Sequence, residues 1–308
     1  MQETEKIWMN GELVDWADAK VHVGVHGLHY GTGVFEGIRC YDTPRGPAVF
    51  RLGDHMQRLR NSARLLHMEI PYSVAELTEA TDQLITTNGL PEVYIRPIAF
   101  YGYGQLGVHA RGNPVETVLM SWPWGTYLGD EALRNGIRAK VSSWQRISAN
   151  IVPHVSKASG VYLNSMLAVT EVTNAGYDEA ILLTPEGTVA DGSGENIFVV
   201  RNGVIFTPDL ATGILPGLTR DALIQIAQDL GYTVHEKTLI RSDLYLADEV
   251  FMCGTAAEVV PLRSVDDHEI GVGPVTLELQ QAYLDTVRGR SDRWGQWLHH
   301  VPAMARKA

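Results

Sequence analysis

Three strand-turn-strand signatures constrain this chain more than any other feature. Asn10-Gly11 closes KIWMNGELV, Glu186-Gly187 closes EAILLTPEGTVADG, and Asn202-Gly203 closes NIFVVRNGVIFTP. These pairs suit the positive φ of a tight hairpin, so each segment reads as two antiparallel strands. VYIRPIAFYGY, VETVLMSWPW and IRAKVSSW alternate like strands, and ADEVFMCGTAAEVVPL reads as one strand broken at Gly254-Thr255. Helical patterns are fewer. Met56, Leu59, Ala63 and Leu66 form a stripe between Asp54 and His67,. Thr219 opens a helix whose apolar face is Leu218, Ala222, Leu223, Ile226, Ala227 and Leu230, ended by Gly231,. The regular βαβ alternation of a doubly wound sheet is absent, so the expected class is α+β. PWGTYLG, rich in turn formers, reads as a linker. The expected layout is a domain over 1–122, a linker over 123–135 and a second domain over 136–308.

Composition excludes several classes. The chain has 308 residues, 45% of them apolar and 20% charged, as in a soluble globular protein,. A net charge of -11 argues against nucleic acid as a partner, since phosphate binding needs a basic surface,. No run approaches the roughly 20 apolar residues of a membrane span. MQETEK is acidic and polar where a secretory leader is basic and then apolar, so a cytoplasmic location is expected,. Cys40 and Cys253 stand far apart in no CxxC, which points to neither a disulfide framework nor a zinc site,.

Chemistry-bearing residues concentrate between Ser156 and Thr255. Lys157 in HVSKASGVYLNSM follows a proline-containing loop and precedes Ala158, Ser159 and Gly160, whose size leaves room for a flat ring. Its amine condenses with an aldehyde only when neutral, which requires desolvation or nearby cations. Taken alone, a lysine reads first as a solvated surface residue, and among these neighbours the two readings stand even. Asp191 and Glu195 flank glycines in DGSGEN, either as a polar turn or as a carboxylate pair converging on a ligand. Pro216, Gly217 and Thr219 precede a helix whose first N–H groups could hold phosphate, although Thr219 also suits a plain N-cap,. Gly254-Thr255-Ala256 offers a second set of amides and a hydroxyl. An amine, a carboxylate and phosphate-holding backbone are what pyridoxal 5'-phosphate demands, the carboxylate keeping its ring nitrogen protonated.

Within the first domain, Tyr94 and Arg96 in VYIRP share one strand face, a pairing suited to a carboxylate or to a surface ion pair,. Arg58 lies beside the apolar stripe of its helix, which suggests a partly buried anion partner. YGTGVFEG is not a dinucleotide loop, because Glu36 replaces the third glycine and strand-like IRCY follows,. His22, His26 and His29 have helical spacing without an acidic ligand, so no metal is expected,.

In chain order, HYGTGVFEGIRCY, HMQRL, VYIRP, SKASGVYLNSM, DGSGEN, LPGLTRDAL and DEVFMCGTAAEVVP resemble the branched-chain amino-acid aminotransferases, pyridoxal-phosphate enzymes of fold type IV. The resemblance runs from about Ile7 to Val265. It implies a D-amino-acid-aminotransferase-like fold with a smaller N-terminal α/β domain and a larger C-terminal mixed β/α domain. It further implies that Lys157 binds the cofactor as a Schiff base and then moves the substrate α-proton. Arg58 and the amides of Leu218, Thr219 and Thr255 would hold the phosphate, Tyr162 the ring oxygen, and Asp191 the ring nitrogen. Tyr94, with the backbone of Thr255 and Ala256, would hold the substrate carboxylate. Phe35, Gly37, Trp124 and Tyr127 would line an aliphatic pocket. Arg96 and Tyr30, the latter supplied by a partner subunit in the family, would receive the second carboxylate of glutamate.

The chain departs from the family at several points. Asp191 stands where the family usually has glutamate, one methylene longer, and Glu195 aligns with the family's second acid. Val161 replaces a commonly polar residue, and His109-Ala110 lies in the loop that covers substrate in the family. The expected activity moves the amino group of L-Leu, L-Ile or L-Val to 2-oxoglutarate in a homodimer or larger assembly, without nucleic acid or membrane. D-amino-acid or (R)-amine transamination and aminodeoxychorismate lyase chemistry are the same-fold alternatives, with VYIRP and PWGTYLG favouring the branched-chain group. A catalytically silent scaffold is disfavoured by the presence of Lys157.

Overall fold

The computed structural model describes residues 2–125 and 129–304. The chain forms two compact units, one of Met1–Trp124, Ser156–Gly160 and Asp285–Ala308, the other of Gly125–Val155 and Val161–Leu284.

In the first unit, the Asn10-Gly11 hairpin forms as expected. β1 (Lys6–Met9) pairs antiparallel with β2 (Glu12–Asp15), with φ of 52° at Asn10 and 102° at Gly11. Then follow α1 (His26–Tyr30), β3 (Gly33–Phe35), β4 (Ile38–Tyr41), β5 (Ala48–Phe50), α2 (Leu52–Leu65), α3 (Val74–Asn88), β6 (Val93–Tyr101) and β7 (Val115–Trp122). Among the described residues these strands and Leu298–His300 make an eight-stranded sheet. Its order is Leu298–His300, β5, β4, β6, β7, β1, β2, with β3 also on β6. Met56, Leu59 and Ala63 of α2 bury their stripe in one core with Leu77 and Leu84 of α3 and Ile95 of β6. Helix α3 was not foreseen from apolar periodicity, yet the sequence marks its start. The Ser73 N–H donates to the Glu76 carboxylate at 2.7 Å, and the Glu76 N–H donates to the Ser73 hydroxyl at 3.2 Å,.

β3 and β4 both run antiparallel to β6 but are interrupted at Glu36-Gly37. Phe35 faces Ile98 and Ile38 faces Ile95, which leaves Glu36-Gly37 opposite Arg96-Pro97. Pro97 has no N–H to donate, so the ladder is weakened at this point. The Glu36 N–H still reaches the Pro97 carbonyl at 2.8 Å. The interruption is where the side chains of interest converge.

The second unit contains α4 (Asp130–Asn135), β8 (Ile137–Val141), α5 (Tyr162–Asn174), β9 (Glu179–Leu183), β10 (Val189–Gly192), β11 (Asn196–Arg201) and β12 (Val204–Thr207). It continues with α6 (Leu218–Asp229), β13 (Val234–Glu236), α7 (Arg241–Tyr245), β14 (Glu249–Gly254), β15 (Glu258–Val265) and β16 (His268–Glu269). The described strands form one mixed sheet ordered β10, β9, β8, β15, β14, β11, β12, β13, with β16 on β15. β8 runs parallel to β9 and to β15, and β12 runs parallel to β13. The architecture is α+β, and no described helix is long and apolar enough to cross a membrane.

Two local expectations are corrected. ADEVFMCGTAAEVVPL is not one broken strand but an antiparallel pair, with Gly254 facing Glu258 across a reversal at 255–257. In α6, Leu230 lies past the last turn and is exposed, while Arg220 is buried. Arg220 tolerates burial because it donates to the Thr207 hydroxyl, the Pro208 carbonyl and Glu236,.

Leu59 has no exposed surface in the α2 stripe. Leu59→Ala should lower unfolding free energy by about 2–5 kcal/mol in urea denaturation.

Candidate active site

The candidate residues fall into two groups, one in each unit. In the first unit, Glu36 enters the interior through the break between β3 and β4 and has no exposure. Arg58 Nε donates to its Oε1 at 2.7 Å and Nη2 to its Oε2 at 2.8 Å, a two-pronged pair,. The anion partner expected beside Arg58 is therefore Glu36, three positions after the Gly33 of the rejected dinucleotide motif. His55, one helical turn before Arg58, adds a 2.7 Å bond from Nδ1 to Oε2. Removing one member of such a buried pair leaves an uncompensated charge, at about 3–5 kcal/mol.

Burial alone would raise the Glu36 carboxyl, but the charge and hydrogen bonds of Arg58, joined by His55, hold it well below the usual carboxylate range. Burial lowers His55, with help from the Arg58 and Lys157 charges, against the opposing pull of Glu36. His55 is thus neutral beside an ionised Glu36. Since a carboxylate only accepts, the imidazole proton sits on Nδ1.

Lys157 belongs to the short segment that joins the first unit, and its backbone is fixed from two sides. The Phe35 N–H donates to its carbonyl at 3.0 Å, and its own N–H donates to the Ser62 hydroxyl on α2 at 3.0 Å. Ser156 Oγ donates to the Ser62 carbonyl at 3.2 Å, and Ala158 bridges Val34. The side chain is half-buried, with Nζ 5.2 Å from the centre of the Phe35 ring.

The aromatic and cationic residues foreseen around it assemble in the same unit. Arg96 stacks 4.6 Å over Phe35 and donates through Nη2 to the Tyr94 hydroxyl at 3.2 Å. Tyr94 sits 5.1 Å from Trp122 and 5.0 Å from Trp124, ring to ring. A Cβ at Gly37 would stand 2.0 Å from that hydroxyl, so glycine is needed there for Tyr94 to hold its place. Tyr30, on α1, is 45% exposed against the ring of His26. Tyr127 lies outside the described residues.

In the second unit, Asp191 on β10 is buried and pairs with buried Arg146, Nε to Oδ1 at 3.3 Å. Glu195 turns back on its own loop, where its Oε2 accepts from the Gly194 N–H at 3.0 Å. Buried Glu179, raised by burial, accepts from the Ser193 N–H at 3.3 Å in the same turn. Helix α6 begins at Leu218 with Gly217 as N-cap and no capping side chain, and its hydroxyl residue Thr219 is buried. A Cβ at Gly217 would lie 2.0 Å from Asn196 Oδ1, and Asn196 Nδ2 donates to the Leu215 carbonyl at 3.0 Å. The loop before the helix is thus pinned to β11 with only a glycine's room. Thr255 and Ala256 occupy the β14–β15 reversal, half-buried. Tyr162 opens α5, with buried Val161 before it.

Glu36, His55, Ser62 and Arg146 were not anticipated as site residues. A buried acid opposite an arginine beside an apolar stripe was the available signal for the first of them. For Ser62 and Arg146 the partners are remote in sequence, and nothing local announces them.

A family description, amino-transferase class IV, matches residues 33–265. The chain belongs to the class IV aminotransferase family and is an enzyme of that class. Within it, the relatives are branched-chain-amino-acid aminotransferases. The Salmonella typhimurium enzyme is 50% identical over 97% of this chain and 98% of its own length. The crystal structure of the Escherichia coli enzyme matches with a TM-score of 0.95 at 49% identity, covering 97% of this chain and all (100%) of that one. The Thermobaculum terrenum enzyme in its PLP form matches with a TM-score of 0.92 at 38% identity, over 98% of this chain and 99% of that one. Class IV aminotransferases use pyridoxal 5'-phosphate. The donors present fit it: an amine on a pinned backbone, a buried carboxylate, and a helix N-terminus entered through a glycine with no space for a side chain.

Both shifted groups of the buried cluster have the same sign with pH. A neutral buried His55 favours the fold fully above the ordinary histidine value of 6.5 and less as pH falls below it, because the unfolded chain then binds the extra proton,. Glu36 adds its share above the ordinary carboxylate value of 4.5 and loses it below,. Urea-unfolding free energy should therefore drop between about pH 6.5 and 5, and His55→Gln should flatten that slope.

Proposed function

We propose that the chain is a branched-chain amino-acid transaminase that passes the amino group of L-Leu, L-Ile or L-Val to 2-oxoglutarate through pyridoxal 5'-phosphate. The observation that carries this reading is Lys157, held by backbone bonds to Phe35 and Ser62 in the same unit that gathers Tyr94, Arg96 and Gly37. Bound cofactor would supply an electron sink that lets the substrate Cα–H bond break. Every other duty falls to the chain's own groups. Lys157 Nζ anchors the cofactor and carries the α-proton. Arg58 is assigned to the phosphate, with its guanidinium orientation set by Glu36. Tyr94 takes the substrate carboxylate. Phe35 and Trp124 give an aliphatic side chain an apolar wall, with Tyr127 assigned there as well. Arg96 and Tyr30 receive the distal carboxylate of the second substrate, which lets one pocket accept both.

The second unit contributes the N–H groups of Leu218 and Thr219 and the Thr255-Ala256 turn to anion binding. Tyr162 is assigned to the ring oxygen and Asp191 to the ring nitrogen. Glu195 supports the turn that carries Asp191. We read the enzyme as a cytoplasmic homo-oligomer. Val23, Leu28 and Tyr30 are exposed on one segment, and Tyr103, Leu106 and Val108 on another. The two segments are joined by the Val25–Tyr103 bridge, so an apolar surface is concentrated on this face,.

With L-leucine, D-alanine and (R)-1-phenylethylamine offered separately as donors to 2-oxoglutarate, glutamate should form fastest from L-leucine. Failure of leucine where another donor works overturns the substrate assignment. Lys157→Ala should abolish both turnover and the borohydride-sensitive visible band. Gly37→Ala, which drives the Tyr94 hydroxyl from its place, should lower kcat/KM for leucine about 10–100-fold while the band remains.

A further inference from the structure

Asp191 is one methylene shorter than the glutamate usual at its position, and the sheet sets a buried arginine beside it. β8 ends at Val141, but the chain keeps its pairing with β9 beyond that point. The Ser142 N–H donates to the Ile181 carbonyl at 2.9 Å, and the Arg146 N–H donates to the Leu183 carbonyl at 2.8 Å. Leu183 in turn faces Val189 on β10, two residues before Asp191. Backbone bonds through one intervening strand therefore bring the Arg146 main chain near β10, whose register against β9 shifts between Val189 and Gly192. The result is a 3.3 Å contact between two buried side chains.

We infer that Arg146 is a positioning residue that orients the Asp191 carboxylate for its role at the ring nitrogen. This rests on the reading that Asp191 serves the cofactor ring. Arginine stays charged under all relevant conditions, so it offers the buried carboxylate a permanent opposite charge. The contact to Oδ1 is an ion pair rather than a hydrogen bond, and it draws that oxygen of the short side chain toward the guanidinium,. Burial, joined by the Arg146 charge, lowers the His154 imidazole on the same loop.

The test uses full-length holoenzyme variants Arg146→Met, Arg146→Lys, Asp191→Asn and the Arg146→Met/Asp191→Asn double variant. Four readouts are compared: the visible cofactor band, the pyridoxal 5'-phosphate dissociation constant, the kcat and KM for leucine, and thermal unfolding. Arg146→Met should weaken cofactor binding, shift the band and lower kcat roughly 10–100-fold with little change in KM, as expected for a group that orients another. Arg146→Lys should restore part of the band and of kcat. The double variant should be no worse than Asp191→Asn alone. If Arg146→Met lowers only the unfolding temperature and leaves band and kcat intact, or if the two substitutions add, the inference is overturned. A native band that never forms overturns the cofactor reading itself. A normal band that is insensitive to Asp191→Asn removes only the Asp191 assignment and this inference with it.

Discussion

A carboxylate with no exposure sits at the centre of the first unit, and the structure around it exists to make that tolerable. Glu36 is neutralised by Arg58 and held by His55, both from α2. Because ion pairs in low dielectric tolerate little displacement, this contact fixes the register of α2 against the sheet. The same helix buries Met56, Leu59 and Ala63 in the core and presents Ser62 to the Lys157 backbone. One buried charge thus sets the placement of a core helix, a phosphate-directed arginine and the segment that carries the reactive amine.

That segment is pinned by its main chain rather than by its side chain. Phe35 and Ser62 take up the carbonyl and N–H of Lys157, so the amine can change partners while its origin stays still. The interruption of the ladder at Glu36-Gly37 serves the same end. It sends Glu36 inward and leaves Gly37 small enough for the Tyr94 hydroxyl to lie against it. In the second unit a comparable economy appears at Gly217, where Asn196 occupies the space a side chain would need.

Much of this was legible in the chain. The hairpin glycines, the α2 stripe and the strands carrying Tyr94 and Arg96 are local patterns, and each formed within a few residues of its expected place. The helix over Val74–Asn88 was written in its S-x-x-E box but not in its apolar spacing. Where reading failed, the cause was non-local. Arg220 is buried because Thr207, Pro208 and Glu236 meet it, and the strand expected to run through Gly254-Thr255 folds back because β15 finds its partner in β14.

By itself, the sequence determined which chemical groups this enzyme carries: a lysine among small residues, an aspartate in a glycine-rich turn, and a hydroxyl at a helix start. Periodicity and turn chemistry depend on neighbours along the chain, so these were readable. Tertiary structure alone decided which polar groups meet. Glu36 with Arg58 and His55, Ser62 with the Lys157 backbone N–H, and Arg146 with Asp191 are joined across strands and helices by burial, where a polar or charged group left without a partner is too unstable to persist,.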